Sequence, residues 1–128
     1  EHGDAVDALG QALRELIRAE PLASVALVAH DAATAALYYE GLSRMELARL
    51  RHVKDESFAF APGIDVVDVA QVKGLEFDYV VVLDASLGRW PDRPHGRRLL
   101  HVACTRAVHQ LWVTCVGAPN AAVREAMA

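Results

Sequence analysis

The chain has 128 residues, of which 53% are hydrophobic and 23% charged, so its size and composition predict one ordinary globular domain over residues 1–128. The formal net charge of −4 argues against an autonomous nucleic-acid binder, because phosphate contacts need clustered cations. No apolar stretch approaches the ~20 residues that span a bilayer, and the first residues lack the basic start and apolar centre of a signal peptide, so the sequence predicts a cytoplasmic protein without a membrane segment.

Two helices are predicted in the first third of the chain. Residues 1–20 form a leading helix, since apolar residues recur at helical spacing within 4–19 and Pro21 closes the segment. A second helix is predicted to begin after Asp31, whose side chain can cap it, and to run towards Arg44.

Short apolar runs predict strands buried in a sheet. The four clearest are residues 25–29, 64–69, 79–83 and 111–116. A fifth, short strand is predicted at His52 or Phe58, ahead of a turn at Pro62-Gly63. Residues 85–96 are expected to form a loop and 99–108 a helix. Strands that alternate with helices predict an open, mostly parallel α/β sheet flanked by helices.

A turn carrying Lys73, Gly74 and Glu76 leads directly into one of these strands. In α/β sheets, ligands bind at the carboxyl ends of strands, and we expect the three residues to follow such an end. Gly74 can adopt backbone angles closed to other residues, so the chain can turn sharply there and approach a neighbour closely. The Glu76 carboxylate can accept hydrogen bonds from sugar hydroxyls. Taken alone, Lys-Gly-x-Glu favours a solvated surface turn, because such tetrapeptides are common.

A second informative segment is rich in arginine. Residues 97–107 read Arg-Arg-Leu-Leu-His-Val-Ala-Cys-Thr-Arg-Ala, and a loop with two more arginines precedes them. The five arginines of this part of the chain, whose only acid is Asp92, are Arg89, Arg93, Arg97, Arg98 and Arg106. We expect the first four to supply whatever attraction the chain has for nucleic acid. On its own, Arg106 is also compatible with an ordinary arginine on a helix surface.

Together the two segments resemble the last two motifs of superfamily 1 helicases of the UvrD/Rep type. Lys-Gly-Leu-Glu-Phe-Asp and Ala-Cys-Thr-Arg-Ala are closest to the wording of the HelD-like branch. The resemblance implies that residues 22–128 form the carboxyl-terminal RecA-like lobe of a helicase, a fold related to the P-loop NTPases. It also implies that Gly74 and Glu76 bind ATP near its ribose. Arg106 would be the catalytic arginine finger at the γ-phosphate.

The resemblance also implies missing parts. The sequence contains no Gly-x-x-x-x-Gly-Lys-Ser/Thr phosphate loop, so ATP and Mg²⁺ would be held mainly by a first, amino-terminal lobe of the same parent protein. The isolated fragment is therefore predicted to be inactive and to bind DNA weakly. Where the family carries a Thr and a His that touch the nucleic-acid strand, this chain has Asp68 and Ala70, and His30 is the nearest cation to a further family arginine.

Two functions stay open on this basis. The chain is either the ATP-coupling lobe of a DNA helicase or translocase, or a catalytically silent interaction module that docks a polymerase or a repair protein. HelD-like proteins, which act on RNA polymerase, suggest the second. The sequence is compatible with an excised domain and with a stand-alone protein.

The remaining candidate residues are possible metal ligands and a tryptophan that could stack a base. His101, Cys104, His109 and Cys115 fall within fifteen positions, but they include no closely spaced cysteine pair, so we expect no metal site and two reduced, at least partly buried cysteines. Trp90 could stack a nucleic-acid base from its loop, although packing against the sheet is favoured.

Overall fold

The computed structural model describes residues 2–85, 90 and 94–114. Within them the chain forms, in order, α1 (His2–Ala19), β1 (Ser24–Ala29), α2 (Ala32–Ser43), β2 (Leu50–His52), β3 (Gly63–Asp68), a short 3-10 helix (Val69–Gln71), β4 (Phe77–Val82), α3 (Pro94–Cys104) and β5 (Ala107–Val113). The five strands form one sheet in the order β2-β3-β1-β4-β5, and every neighbouring pair is parallel. The predicted α/β fold with a parallel sheet is confirmed.

The sheet is buried on both faces at its centre. Successive side chains of a strand point to opposite faces, so Val25 and Leu27 of β1 join one core while Ala26 and Val28 join the other. On the first face, α1 and α2 cover β1 and β3. On the second face, the 3-10 helix and α3 pack over β4. This double burial explains why the central strands read as continuous apolar runs.

The second helix begins as its sequence predicts. The Asp31 carboxylate accepts a hydrogen bond from the backbone N–H of Thr34 at 2.8 Å, which satisfies one of the free donors at the start of α2. Burial of the Asp31 carboxyl raises its pKa, but the hydrogen bonds from Thr34 and the neighbouring His30 outweigh that effect, and the net pKa lies below its ordinary value.

The sequence placed the boundary between α3 and β5 wrongly. We expected a helix over 99–108, but α3 ends at Cys104 and β5 begins at Ala107. The Thr105 hydroxyl donates back to the carbonyl of His101 at 2.9 Å, and the backbone then enters the sheet because the N–H of Phe77 donates to the Arg106 carbonyl at 2.9 Å. The expected loop over 85–96 is likewise too long, since α3 already begins at Pro94.

All five strands run in one direction, so the sheet has two distinct ends. We call the end where the strands begin the amino edge and the end where they finish the carboxyl edge. Gly63 begins β3 at the amino edge with φ +140°, and a Cβ there would lie 2.8 Å from the carbonyl oxygen of Arg49. Glycine is therefore required at that strand start. None of the helices in the described part of the chain combines the length and apolar character needed to cross a membrane.

Candidate functional site

Glu76 and Arg106 come together at the amino edge. Glu76 immediately precedes β4 and Arg106 immediately precedes β5, and these strands are neighbours in the sheet. Their first residues, Phe77 and Ala107, are register partners. The two residues that the helicase resemblance implied for ATP binding, 30 positions apart in the sequence, are thus on adjacent strand starts.

The expectation that Glu76 follows the carboxyl end of a strand is wrong. β3 ends at Asp68 on the carboxyl edge, and β4 runs parallel to β1 in the same direction as β3. The eight residues 69–76 must therefore cross the second face of the sheet and return to the amino edge. Val69 and Val72 are buried during this crossing, which fixes its path.

Gly74 makes the turn that the sequence predicts. Its φ is +83°, in the left-handed region, and both Lys73 and Gly74 are exposed. A Cβ added to Gly74 would meet no atom within 4 Å, so the expected close approach to a neighbouring part of the chain is not found. The glycine is needed for its backbone angle rather than for space.

Arg106 is half-buried on the turn between α3 and β5, so it is not the helix residue that the sequence suggested. Its Nη2 donates to the hydroxyl of Thr105 at 3.1 Å. Its Nε is buried and has no hydrogen-bond acceptor among the described residues. A buried donor without a partner is unfavourable by about 1–3 kcal/mol, so the Nε side of the guanidinium is held inside the protein at a cost.

Beside Glu76, the amino edge carries an open cleft of about 310 Å³. Glu76 and Asp78 line one side of it, and the aromatic rings of Phe58 and Phe60 line the other. Phe60 is 80% exposed, as is Leu22 at the rim. Phe60 was not among the residues predicted from the sequence. A signal was present, because Phe60 lies two residues before the Pro62-Gly63 turn and outside the short strand predicted at His52 or Phe58.

Of the arginines predicted for nucleic-acid binding, the structure describes Arg97 and Arg98, and these two are not next to Arg106. Arg97 and Arg98 are exposed on the first half of α3, whereas Arg106 follows the end of that helix. From Arg98 to the end of α3 at Cys104 the helix rises by ~9 Å, and Arg106 lies two residues further on. Arg89 and Arg93 lie outside the described residues.

The carboxyl edge has a different character. A cleft of about 610 Å³ there is lined by Asp68 and Ala70, the two departures from the family pattern, together with Asp55 and Glu56. Gln71 closes its floor by donating to Val53 and Asp68 and by accepting from the N–H of Glu56 at 2.8 Å.

Two histidines stand near this edge. Burial, followed by the charge of Lys54, lowers the pKa of His52, although Asp68 acts in the opposite direction. Its neutral form is thereby favoured. His30 contacts Trp90 edge to face, with ring centroids 5.1 Å apart, and pairs with Asp31 at 3.3 Å.

Among the described residues, neither Trp90 nor Cys104 contributes a further site. Trp90 is 0% exposed and its indole N–H donates to the Leu83 carbonyl at 3.2 Å, so it packs against the sheet as the sequence favoured. Cys104 is half-buried, and burial raises the pKa of its thiol. In the part of the chain that the structure describes, no three His, Cys, Asp or Glu side chains are grouped so that they could hold a metal ion. Cys115 lies outside the described residues.

Comparisons with known proteins agree with the motifs. Residues 63–114, which include Gly74, Glu76 and Arg106, match the family model of the UvrD-like helicase C-terminal domain. The crystal structure of the C-terminal domain of a possible DNA helicase from Lactobacillus plantarum WCFS1 aligns with 91% of this chain and 70% of its own, at 28% identity and a TM-score of 0.77. The resemblance to the carboxyl-terminal lobe of UvrD-like helicases is confirmed.

A more distant structure shares the fold. The C-terminal part of the Fun30 ATPase domain aligns with 89% of this chain and 41% of its own, at 14% identity and a TM-score of 0.58. Among curated proteins, none matches the chain.

Proposed function

We propose that this chain is the second, ATP-coupling lobe of an ATP-dependent DNA helicase or translocase. One observation carries the proposal: the parallel pairing of β4 with β5 sets Glu76 and Arg106 side by side at one edge of the sheet. A ribose-binding carboxylate and a phosphate-binding arginine are the two groups that a second lobe contributes to a nucleotide held between lobes. The match of residues 63–114 to the UvrD-like helicase C-terminal domain supports the same assignment.

In this proposal Arg106 acts on the γ-phosphate. Phosphoryl transfer to water is accelerated mainly by positioning and by neutralising charge that spreads over the phosphate oxygens. The guanidinium is permanently charged and planar, and its buried Nε lacks an acceptor among the described residues. The side chain is half-buried, so an incoming phosphate would contact the part of the guanidinium that is open to solvent.

Glu76 and Gly74 serve the sugar. The exposed Glu76 carboxylate faces the cleft at the amino edge and can accept hydrogen bonds from ribose hydroxyls. The left-handed turn at Gly74 ends the crossing of the sheet and delivers Glu76 to that position. The chain carries no phosphate-loop lysine or serine, so ATP and Mg²⁺ would be held mainly by the first lobe, the principal partner of this one.

A second candidate is a catalytically silent module, derived from a helicase, that docks a polymerase or a repair protein. Asp68 and Ala70 favour it, because they stand where helicases of this type carry strand-contacting Thr and His residues. The acidic carboxyl-edge cleft would repel a phosphate backbone rather than bind it. This candidate predicts that removing Arg106 changes no activity of the parent protein.

ATP hydrolysis measured on two proteins tests the proposal. The 128-residue chain alone should show no turnover and at most millimolar affinity for ATP, because the phosphate cradle is missing. The longer protein in which a first lobe precedes the chain should hydrolyse ATP. Turnover by the chain alone that Arg106→Ala abolishes would contradict the proposal, as would a two-lobe protein without ATPase activity.

A further inference from the structure

Phe60 combines two unusual properties at the amino edge. Its aromatic side chain is 80% exposed, and its φ is +51°, in the left-handed region that a bulky residue rarely adopts. An apolar ring in water and a strained backbone are both unfavourable. Such outliers persist where the surrounding structure fixes them, and they are enriched at ligand-binding sites.

The surrounding structure does fix this residue. The Arg51 guanidinium donates to Asp65 at 2.7 Å and to the carbonyls of Pro62 and Ala61 at 3.2 and 3.0 Å. These bonds hold the backbone directly after Phe60 against the start of β3. We call the bonded pair of Arg51 and Asp65 the clamp. Asp65 is 4% exposed, so the clamp is anchored inside the protein.

The ring of Phe60 also belongs to an aromatic group. Its centroid lies 5.9 Å from that of Phe58, and Phe58 lies 6.0 Å from the buried ring of Phe77. Tilted ring pairs at these separations attract one another. One edge of the Phe60 ring is therefore supported, while most of its surface remains open to a ligand.

The amino edge presents three groups in a fixed order. Phe60 lies three residues before β3, Glu76 immediately before β4 and Arg106 immediately before β5, and the strand order is β3-β1-β4-β5. With neighbouring strands ~4.8 Å apart, β3 and β5 are separated by ~14 Å. Aromatic ring, carboxylate and guanidinium thus follow one another as base, ribose and phosphates do in an extended nucleoside triphosphate.

We propose that Phe60 is a nucleotide-binding residue whose ring stacks on the base of the ATP that Glu76 and Arg106 contact. This inference rests on the proposed function and adds its base subsite. The charges fit, because the carboxylates near the cleft face the uncharged base and sugar while Arg106 faces the phosphates. Asp78 and Asp65 are already bonded to the N–H of Ser24 and to Arg51. Stacking tolerates any base, so Phe60 would select nucleotides as a class rather than adenine alone.

The steady-state ATPase kinetics of the two-lobe protein test this role. Phe60→Ala should raise KM for ATP about tenfold, the loss expected for one base–aromatic stack, and should leave kcat within about twofold. Phe60→Trp should restore the wild-type KM, since it returns an aromatic surface. Leu37→Ala removes a 40% exposed apolar side chain from α2, away from the cleft, and serves as the matched control.

Two inhibitors separate base binding from phosphate binding. The inhibition constant of ADP should rise about tenfold in Phe60→Ala, whereas that of inorganic tripolyphosphate, which has no base, should not change. An unchanged KM and ADP inhibition constant in Phe60→Ala, alongside a strong loss of kcat in Arg106→Ala, would overturn the base subsite alone. An unchanged kcat in Arg106→Ala would overturn the proposed function and the base subsite with it.

Discussion

The amino and carboxyl edges of the sheet differ in how they relate to the helicase motifs. At the amino edge, Glu76 and Arg106 precede adjacent strands, and Glu76 shares a cleft with the exposed ring of Phe60. At the carboxyl edge, Asp68 and Ala70 replace the strand-contacting residues, and the cleft there is lined by further acids. In the proposed function, the amino edge therefore carries the residues that match the family's ATP motifs, whereas the carboxyl edge lacks those that match its nucleic-acid contacts.

The difference between the edges arises because the segment from Asp68 to Glu76 has one end at the carboxyl edge and the other at the amino edge. Residues 69–76 leave β3 at the carboxyl edge, cross the second face under α3 and reach β4 at the amino edge. Asp68 and Glu76 are close in sequence but lie at opposite ends of the strands. Substitutions near Asp68 can therefore change binding at one edge without disturbing the other.

The largest expected effect is on catalysis at the amino edge. In the two-lobe protein, Arg106→Ala should lower kcat for ATP hydrolysis about a thousandfold, the scale of losing an arginine finger. The Arg106 side chain is half-buried and is not part of the hydrophobic core, so thermal unfolding of the variant should stay cooperative. Arg44→Ala, which removes an exposed arginine at the carboxyl-terminal cap of α2, is the control and should leave kcat unchanged. Normal hydrolysis by Arg106→Ala would show that the motif has lost this function.

The next effect is on the clamp that holds the amino edge. Asp65→Ala would leave the partly buried Arg51 without its carboxylate partner, and we expect the free energy of unfolding to fall by about 3 kcal/mol. The exposed pair of Arg44 and Glu40 is the matched comparison, and Glu40→Ala should change stability by less than about 1 kcal/mol. Urea denaturation measures the free energy of unfolding of both variants. A loss in Asp65→Ala no larger than that in Glu40→Ala would mean that the clamp does not stabilise the fold.

Nucleic-acid binding should be weak and carried by the arginine-rich stretch rather than by residues 68–71. If all four of Arg89, Arg93, Arg97 and Arg98 contact phosphates, affinity for single-stranded DNA should fall roughly fiftyfold between ~50 and ~200 mM salt. Replacing the four by glutamine should abolish both the binding and its salt dependence. Fluorescence titration of a labelled oligonucleotide decides this. Tight, salt-insensitive binding by the glutamine variant would overturn the charge argument.

The smallest effect concerns the cap of α2 near the carboxyl edge. Asp31→Ala should reduce the free energy of unfolding by about 1 kcal/mol at neutral pH. Because folding lowers the pKa of Asp31 from an ordinary value of 3.8, its contribution is present above that value and is lost as the pH falls through the folded pKa. Urea titrations at several pH values should show wild type and variant converging in acid. A difference that persists there would mean that the carboxylate charge is irrelevant.

Local patterns were enough to predict the sheet and the identity of its motifs. The apolar runs at 25–29 and 64–69 are long enough to be buried strands. Asp31 could be predicted as a helix cap because its short carboxylate side chain can accept a hydrogen bond from a backbone N–H of the helix start. The start of β5 could not be predicted in this way. It depends on the hydrogen bond from Phe77 to Arg106, which joins residues 29 positions apart.

The geometry of the site depended on longer-range information still. The position of Glu76 follows only once β3 and β4 are known to be parallel, since their linker must then cross the sheet. The backbone conformation of Phe60 follows from the clamp made by Arg51 and Asp65, not from the preferences of phenylalanine. Residue types therefore nominated candidate groups but could not predict the edge of the sheet on which those groups lie.

A paired substitution in the two-lobe protein tests most directly whether the amino edge faces the nucleotide. KM for ATP and Kd for single-stranded DNA are measured for Glu76→Ala and for Asp68→Ala. Glu76→Ala should raise KM roughly tenfold or more through loss of a charge-assisted hydrogen bond and leave Kd unchanged. Asp68→Ala should leave KM unchanged and slightly strengthen DNA binding by removing a negative charge. A raised KM in Asp68→Ala with a normal KM in Glu76→Ala would contradict the account.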